Sequence, residues 1–227
     1  MFQHIMFLQA TDIERTTETQ SILDLLFSGG AAGAINVLVL IVMSIVALYI
    51  FLERYMTIKK AGHVDENFMN NIRANVNAGN IQAARTLCQN ADTPVARMVE
   101  KGLARIGKPL RDIDAAIENV GNLEVFKLEK NLATIASIAG AAPMVGFLGT
   151  VTGMMVAFFN MAKEQNVTPQ LLAGGIYQAL ITTAVGLIVG IFAFIAYNLL
   201  VVNVDKVVYK MERHTMEFMD LLQEPSA

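Results

Sequence analysis

The chain has 227 residues, 54% of them hydrophobic and 16% charged, with a mean hydropathy of +0.47. That balance excludes an ordinary soluble domain and marks an all-α integral membrane protein once the long uncharged runs below are counted. A formal net charge of −3 excludes the concentrated basic face that nucleic acid requires. A single cysteine, Cys88, excludes an internal disulfide and cannot by itself make a metal site. There is no internal repeat and no low-complexity segment.

Residues 1–32 open on Met1-Phe-Gln-His-Ile-Met-Phe-Leu8, without the basic start and small-residue cleavage site of a signal peptide. Ser21-Ile-Leu-Asp24 can cap a short helix whose apolar side carries Ile22, Leu25 and Leu26. This helix is expected to lie along the membrane surface until Gly29-Gly30 ends it, with His4 solvated. The first membrane helix is expected over 33–52, where the uncharged run stops at Glu53-Arg54.

Residues 53–130 read as a helical domain outside the bilayer. Asp65 caps a helix through about Val76, and Gly79-Asn80 separates it from a second through Cys88. Asp92-Thr93-Pro94 opens a third to about Ile106, with proline at a first-turn position. Gly107-Lys-Pro109 breaks the chain again, and a helix carrying Ile113, Ile117 and Val120 follows. It is expected to run unbroken into the membrane. The charges of this domain read as solvated, and neither His63 nor Cys88 has a partner at metal or nucleophile spacing. Cys88 is expected to accept a thiol reagent from the domain's own side of the membrane.

The second membrane helix is expected over 131–162, a turn over 163–170 and the third over 171–204. Asn131–Ala162 and Gln165–Asn203 contain no Asp, Glu, Lys, Arg or His. About 20 apolar residues cross ~30 Å of hydrocarbon, so each run spans a bilayer. Residues 205–227 continue the third helix, where Val204, Val208, Met211, Thr215, Phe218 and Leu222 predict an apolar stripe buried in a bundle. His214 is expected at its surface. Arg54, Lys59, Lys60, Lys127, Lys130, Lys206, Lys210 and Arg213 flank the spans on one side, against Arg15 and Lys163 on the other. Basic residues stay inside, so three spans place the N-terminus outside and both 53–130 and the tail in the cytoplasm.

The two long spans carry small residues at helical spacing: Ala139, Pro143, Gly146, Thr150, Gly153 and Ala157 in one, Gly175, Ala179, Thr183, Gly186, Gly190 and Ala193 in the other. Lipid supplies no hydrophobic force between helices, so such stripes mark close backbone approach, within one chain or between copies. Thr150 and Thr183 lie near mid-span, where spacing alone predicts a hydroxyl bonded to its own i−4 carbonyl. No nucleophile–base pair, phosphate loop or intramembrane carboxylate is present, so no enzyme is expected. Proton relays through membranes use Asp, Glu or His. This chain's second and third spans have none, so it makes no proton path alone.

The segments Leu132-Ala-Thr-Ile-Ala-Ser137, Pro143-Met-Val-Gly-Phe-Leu-Gly-Thr-Val-Thr-Gly-Met-Met155 and Gly174-Gly-Ile-Tyr-Gln-Ala-Leu-Ile-Thr-Thr-Ala-Val-Gly-Leu187 resemble the signature of the MotA/TolQ/ExbB proton-channel family. Tyr197-Asn198 resembles the end of the third membrane helix in its ExbB/TolQ branch, the ExbB side being favoured. The resemblance implies a bacterial inner-membrane protein with its N-terminus in the periplasm. It implies a ring of copies, five by resemblance, enclosing single helices of an ExbD- or TolR-like partner that carries a membrane aspartate. The ring would energise a TonB- or TolA-like protein spanning the periplasm, and no cofactor is implied. Thr150 and Thr183 match the family's pore threonines. Gln178 stands where ExbB and TolQ carry a pore glutamate, and it cannot carry a proton as a carboxylate would. A TolQ-like envelope-maintenance role and a non-conducting assembly scaffold are the alternatives.

Overall fold

The computed structural model describes residues 30–65, 67–163 and 169–223. The interfacial helix expected in 1–29, His4 with it, and most of the turn at 163–170 lie outside the described residues. The described residues are helical and contain no strand. The helices are α1 (Gly30–Ala61), α2 (Phe68–Asn77), α3 (Ile81–Ala91), α4 (Pro94–Leu103), α5 (Leu110–Leu128), α6 (Leu132–Lys163) and α7 (Pro169–Gln223). Three helical stretches, Gly33–Ala61, Leu110–Lys163 and Ala173–Gln223, are long and apolar enough to cross a membrane. The protein is therefore an all-α membrane protein whose second and third spans run well beyond a bilayer's thickness. By contacts the chain forms two units: one of the described residues up to Met43 with Ala141–Val189, the other of Ser44–Gly140 with the chain from Gly190.

The second unit follows its caps. Asn80 accepts from the Ala83 amide at 3.1 Å and opens α3, while Thr93 accepts from Ala96 at 3.3 Å and opens α4 with Pro94 behind it. Asp65, three residues before α2 begins, accepts from the Asn67 amide at 2.9 Å. Ile58, Ile72, Val95, Val99, Ile117 and Phe218 are buried to within 2% of complete. The Phe218 ring lies on Gly102, where any Cβ would strike it.

Four expectations are corrected here. The helix entering the second span is broken: Glu129–Asn131 forms a turn between α5 and α6, with Asn131 at φ +65°. Asparagine tolerates that left-handed conformation, so a residue that did not read as a stop makes one. The tail buries Val204, Val207, Met211, Phe218 and Leu221, a face offset by one position from the expected one at Val208 and Leu222. In this register Val207 packs against Gly62, where a Cβ would lie 3.1 Å from its Cγ2.

Nor are all the charges solvated. Glu124 is 3% exposed, held by Arg97 at 2.6 Å and Lys127 at 2.7 Å. Arg97 also pairs with Asp92 at 2.6 Å. The buried Arg54 pairs with Glu53 at 2.5 Å and donates to the Lys127 carbonyl at 3.0 Å. Lys127 thereby joins the two groups through its side chain and its backbone. Lastly, Cys88 is 1% exposed. Burial, with the Glu100 carboxylate adding to it, pushes its thiol up to about 12, so it offers neither access nor thiolate.

Candidate functional site: a hydroxyl patch in the membrane hairpin

In the first unit, α6 and α7 meet along their small residues. A Cβ on Gly186 would lie 2.7 Å from the Ala142 carbonyl oxygen and 2.8 Å from the Gly146 Cα. A Cβ on Gly153 would lie 3.1 Å from the Ala179 Cβ, and one on Gly175 2.6 Å from the Ala157 Cβ. Gly146, Gly153 and Gly186 are thus committed to contacts inside one chain. Pro143 sits half-buried within α6 without ending it. Gly190 is buried and belongs to the second unit. Large apolar side chains such as Phe147, Phe159 and Ile188 are more than half exposed, as a lipid-facing surface requires.

This close approach brings three threonine hydroxyls around two carbonyls. Thr183 Oγ1 donates to Gly146 O at 3.0 Å, and Thr150 Oγ1 is hydrogen-bonded to Thr183 Oγ1. Thr182 Oγ1 donates to Ala179 O at 2.8 Å. Each hydroxyl has one proton to give, and these three bonds use all three in a consistent direction. Thr150 also lies 3.3 Å from Ala179 O and 3.4 Å from its own i−4 carbonyl at Gly146. Thr150 and Thr183 therefore bond across the hairpin first, whereas Thr182 bonds its own helix first and lies 3.4 Å from Gly146 O across the hairpin. Thr182 is 4% exposed, whereas Thr150 and Thr183 are half-buried.

One side of the patch opens. Thr150 lines a hollow of about 700 Å³ walled by Val151, Met154, Met155, Phe158 and Phe159. The hydroxyl edge therefore meets an apolar concavity on the surface of the hairpin. Lys163 closes α6 with its ammonium 4.3 Å from the Phe159 ring centroid. Gln178 lies on α7 four residues before Thr182, and its side chain is outside the described residues.

Thr182, Gly149 and Asn36 were not singled out from sequence. Thr182 fills the notch at Gly149, where a Cβ would lie 2.9 Å from its own Cβ. The sequence carries the signal: Gly146 and Gly149 make a two-glycine notch, and Thr182 is adjacent to Thr183. Asn36 is the single carboxamide in the apolar part of α1, and it donates to Thr152 Oγ1 at 3.3 Å, tying α1 to α6. Among the described residues no cluster of His, Cys, Asp or Glu could hold a metal ion. The patch can donate, accept and hold water, but none of its groups changes charge at ordinary pH.

A model of the family described as "MotA/TolQ/ExbB proton channel family" matches residues 90–213, more than half of the chain. An ExbB homolog of Methanothermobacter thermautotrophicus is 34% identical over 135 residues, covering 59% of this chain and 47% of that protein. The Tol-Pal system protein TolQ of Haemophilus influenzae is 37% identical over 101 residues, 44% of each chain. The biopolymer transport protein ExbB of Pseudomonas putida is 36% identical over 92 residues, 36% of this chain and 28% of that one. The chain thus spans less than half the length of each of these relatives. The matched region holds both the hydroxyl patch and the Arg97–Glu124 pair, and on it the chain belongs to the MotA/TolQ/ExbB proton channel family, in its ExbB/TolQ branch.

Proposed function

We propose that the protein is the ring-forming subunit of a proton-motive-force-driven motor in a bacterial inner membrane. An ExbD/TolR-like single-span partner would supply the membrane aspartate, and the output would be work on a TonB- or TolA-like protein. The observation that carries this reading is a hydroxyl patch at membrane depth in a hairpin whose apolar runs hold no ionisable group. A proton carrier must therefore come from another chain, and Thr150, Thr183 and Gln178 would form the polar wall it passes. The N-terminus and the 163–170 turn would face the periplasm, and 53–130 and the tail the cytoplasm, as the lysine and arginine distribution favours.

One observation favours a second reading. Every patch hydroxyl already has an acceptor inside its own chain, which is what a non-conducting scaffold would also need. Thr150→Val/Thr183→Val separates the two. The Gly146 and Ala179 carbonyls keep their helical bonds, so each lost hydroxyl costs about 1 kcal/mol of stability and assembly survives. The motor reading expects a purified, intact complex that no longer drives proton-motive-force-dependent uptake or envelope function in cells. Normal activity of the double variant would overturn it and leave the scaffold.

A further inference from the structure

We propose that the Lys-rich ends of α1 and α7 form a binding site for a phosphate-bearing anion, supplied by the headgroup of an anionic glycerophospholipid. The cavity there has a volume of about 220 Å³ and is lined by Tyr55, Lys59, Gly62, Asn203, Lys206 and Lys210, with Ile58 and Val207 at its base. Three lysines line it, and among the described residues no carboxylate does. Lys210 is partly committed, donating to the Gly62 carbonyl at 2.7 Å. That bond satisfies a carbonyl at the negative end of α1, which would otherwise repel an anion. Lys59 and Lys206 have no hydrogen-bond or ion-pair partner among the described residues.

The height of the cavity identifies the source. The uncharged run of α1 ends at Leu52, and that of α7 ends at Asn203. The lining residues begin at Asn203 and three residues past Leu52 and extend about two turns further, so the lysine ammonium groups, on flexible stems, reach the headgroup layer beyond the hydrocarbon. Tyr55 is a residue type that belongs at that level, and its ring lies 5.9 Å from that of Phe51, one turn deeper. Tyr55 and Asn203 add neutral hydrogen-bonding groups for the non-bridging oxygens and the glycerol of a phosphodiester. An ammonium is a compact point charge suited to phosphate. None of this depends on which side of the membrane the ends face.

The test titrates the purified full chain in neutral detergent with short-chain phosphatidylglycerol, phosphatidylcholine or inorganic phosphate, reading thermal unfolding. Phosphatidylglycerol should raise the melting temperature at lower concentration than phosphatidylcholine. Lys59→Gln/Lys206→Gln should move that midpoint by roughly fivefold per lysine removed. Lys101→Gln/Lys108→Gln, which removes the same charge from exposed positions outside the cavity, should leave it unchanged. Inorganic phosphate acting at the same concentration as the lipid would support the anion site and overturn its lipid source. Equal shifts in the two double variants, or none in the first, would overturn the site itself. Unliganded melting temperatures matching wild type show that both variants fold.

Discussion

Gly186→Ala adds one methyl group, and the structure assigns it a large effect. The new Cβ would lie 2.7 Å from the Ala142 carbonyl oxygen and 2.8 Å from the Gly146 Cα, where ordinary contact starts at 3.4 Å. Both are backbone atoms of α6, so no change of rotamer relieves the clash and the helices must part by about 0.6 Å, the difference of those last two figures. The Thr183–Gly146 bond, now 3.0 Å, would stretch past useful length. Overpacking costs about 1–3 kcal/mol, and the lost bond adds ~1 kcal/mol, so the variant should lose about 2–4 kcal/mol in total. Gly140→Ala and Gly174→Ala make the same change where nothing lies within 4 Å, and they should be neutral or gain up to ~1 kcal/mol from helix propensity. Reversible unfolding in mixed micelles, with a denaturing detergent as titrant and helicity as readout, resolves the three. A Gly186→Ala protein as stable as Gly140→Ala would refute the close approach. Because this contact is internal, the hairpin should loosen before any contact between copies is lost.

The buried carboxylate gives a second test. Arg97→Ala leaves Glu124 with only the exposed Lys127 as counter-ion and should cost about 3 kcal/mol in the same assay, while Arg97→Met/Glu124→Leu should recover most of it; equal losses would mean that the charge is not the cause. Folded wild-type protein should resist maleimide at Cys88, so it serves as a quiet background for added cysteines. Lys108→Cys should then be labelled only from the cytoplasmic side and Asn166→Cys only from outside, and the reverse pattern would invert the proposed orientation.

The three spans were legible because composition alone decides whether about 20 residues can sit in hydrocarbon. Caps were legible too, since Asn80 and Thr93 bond amides only three residues ahead. Features set by distant partners were not. Nothing near Glu124 announces its burial, because its chief partner, Arg97, is 27 residues away on another helix. The turn at Asn131 takes a left-handed φ of +65° without a glycine or proline to announce it. The stripes showed which faces approach closely, but not that Gly146 meets Gly186 in the same chain rather than in a neighbour. Spacing likewise gave Thr150 its i−4 carbonyl as first partner, whereas the close approach makes the bond to Thr183 available.

A satisfied hydroxyl patch and a working one are compatible, and magnitudes show why. With Thr183 donating to Gly146 at 3.0 Å, Thr150 can donate to Thr183, and each oxygen keeps accepting capacity. Turning the Thr150 hydroxyl outward, toward the hollow it lines, gives up one neutral bond worth about 0.5–1.5 kcal/mol net. A bond to an ionised carboxylate returns about 1.5–3 kcal/mol. The exchange is therefore favourable when a partner's aspartate is charged, whereas a protonated one donates to the Thr150 oxygen and leaves the Thr150–Thr183 bond in place. The patch would therefore bond either protonation state, each by a margin of only about 1 kcal/mol, without changing its own charge. A carboxylate at Gln178 would add a second titrating group and couple the two pKa values. With glutamine there, a single macroscopic titration is expected in a complex with its partner, and two resolved steps would mean that another group of the assembly carries protons.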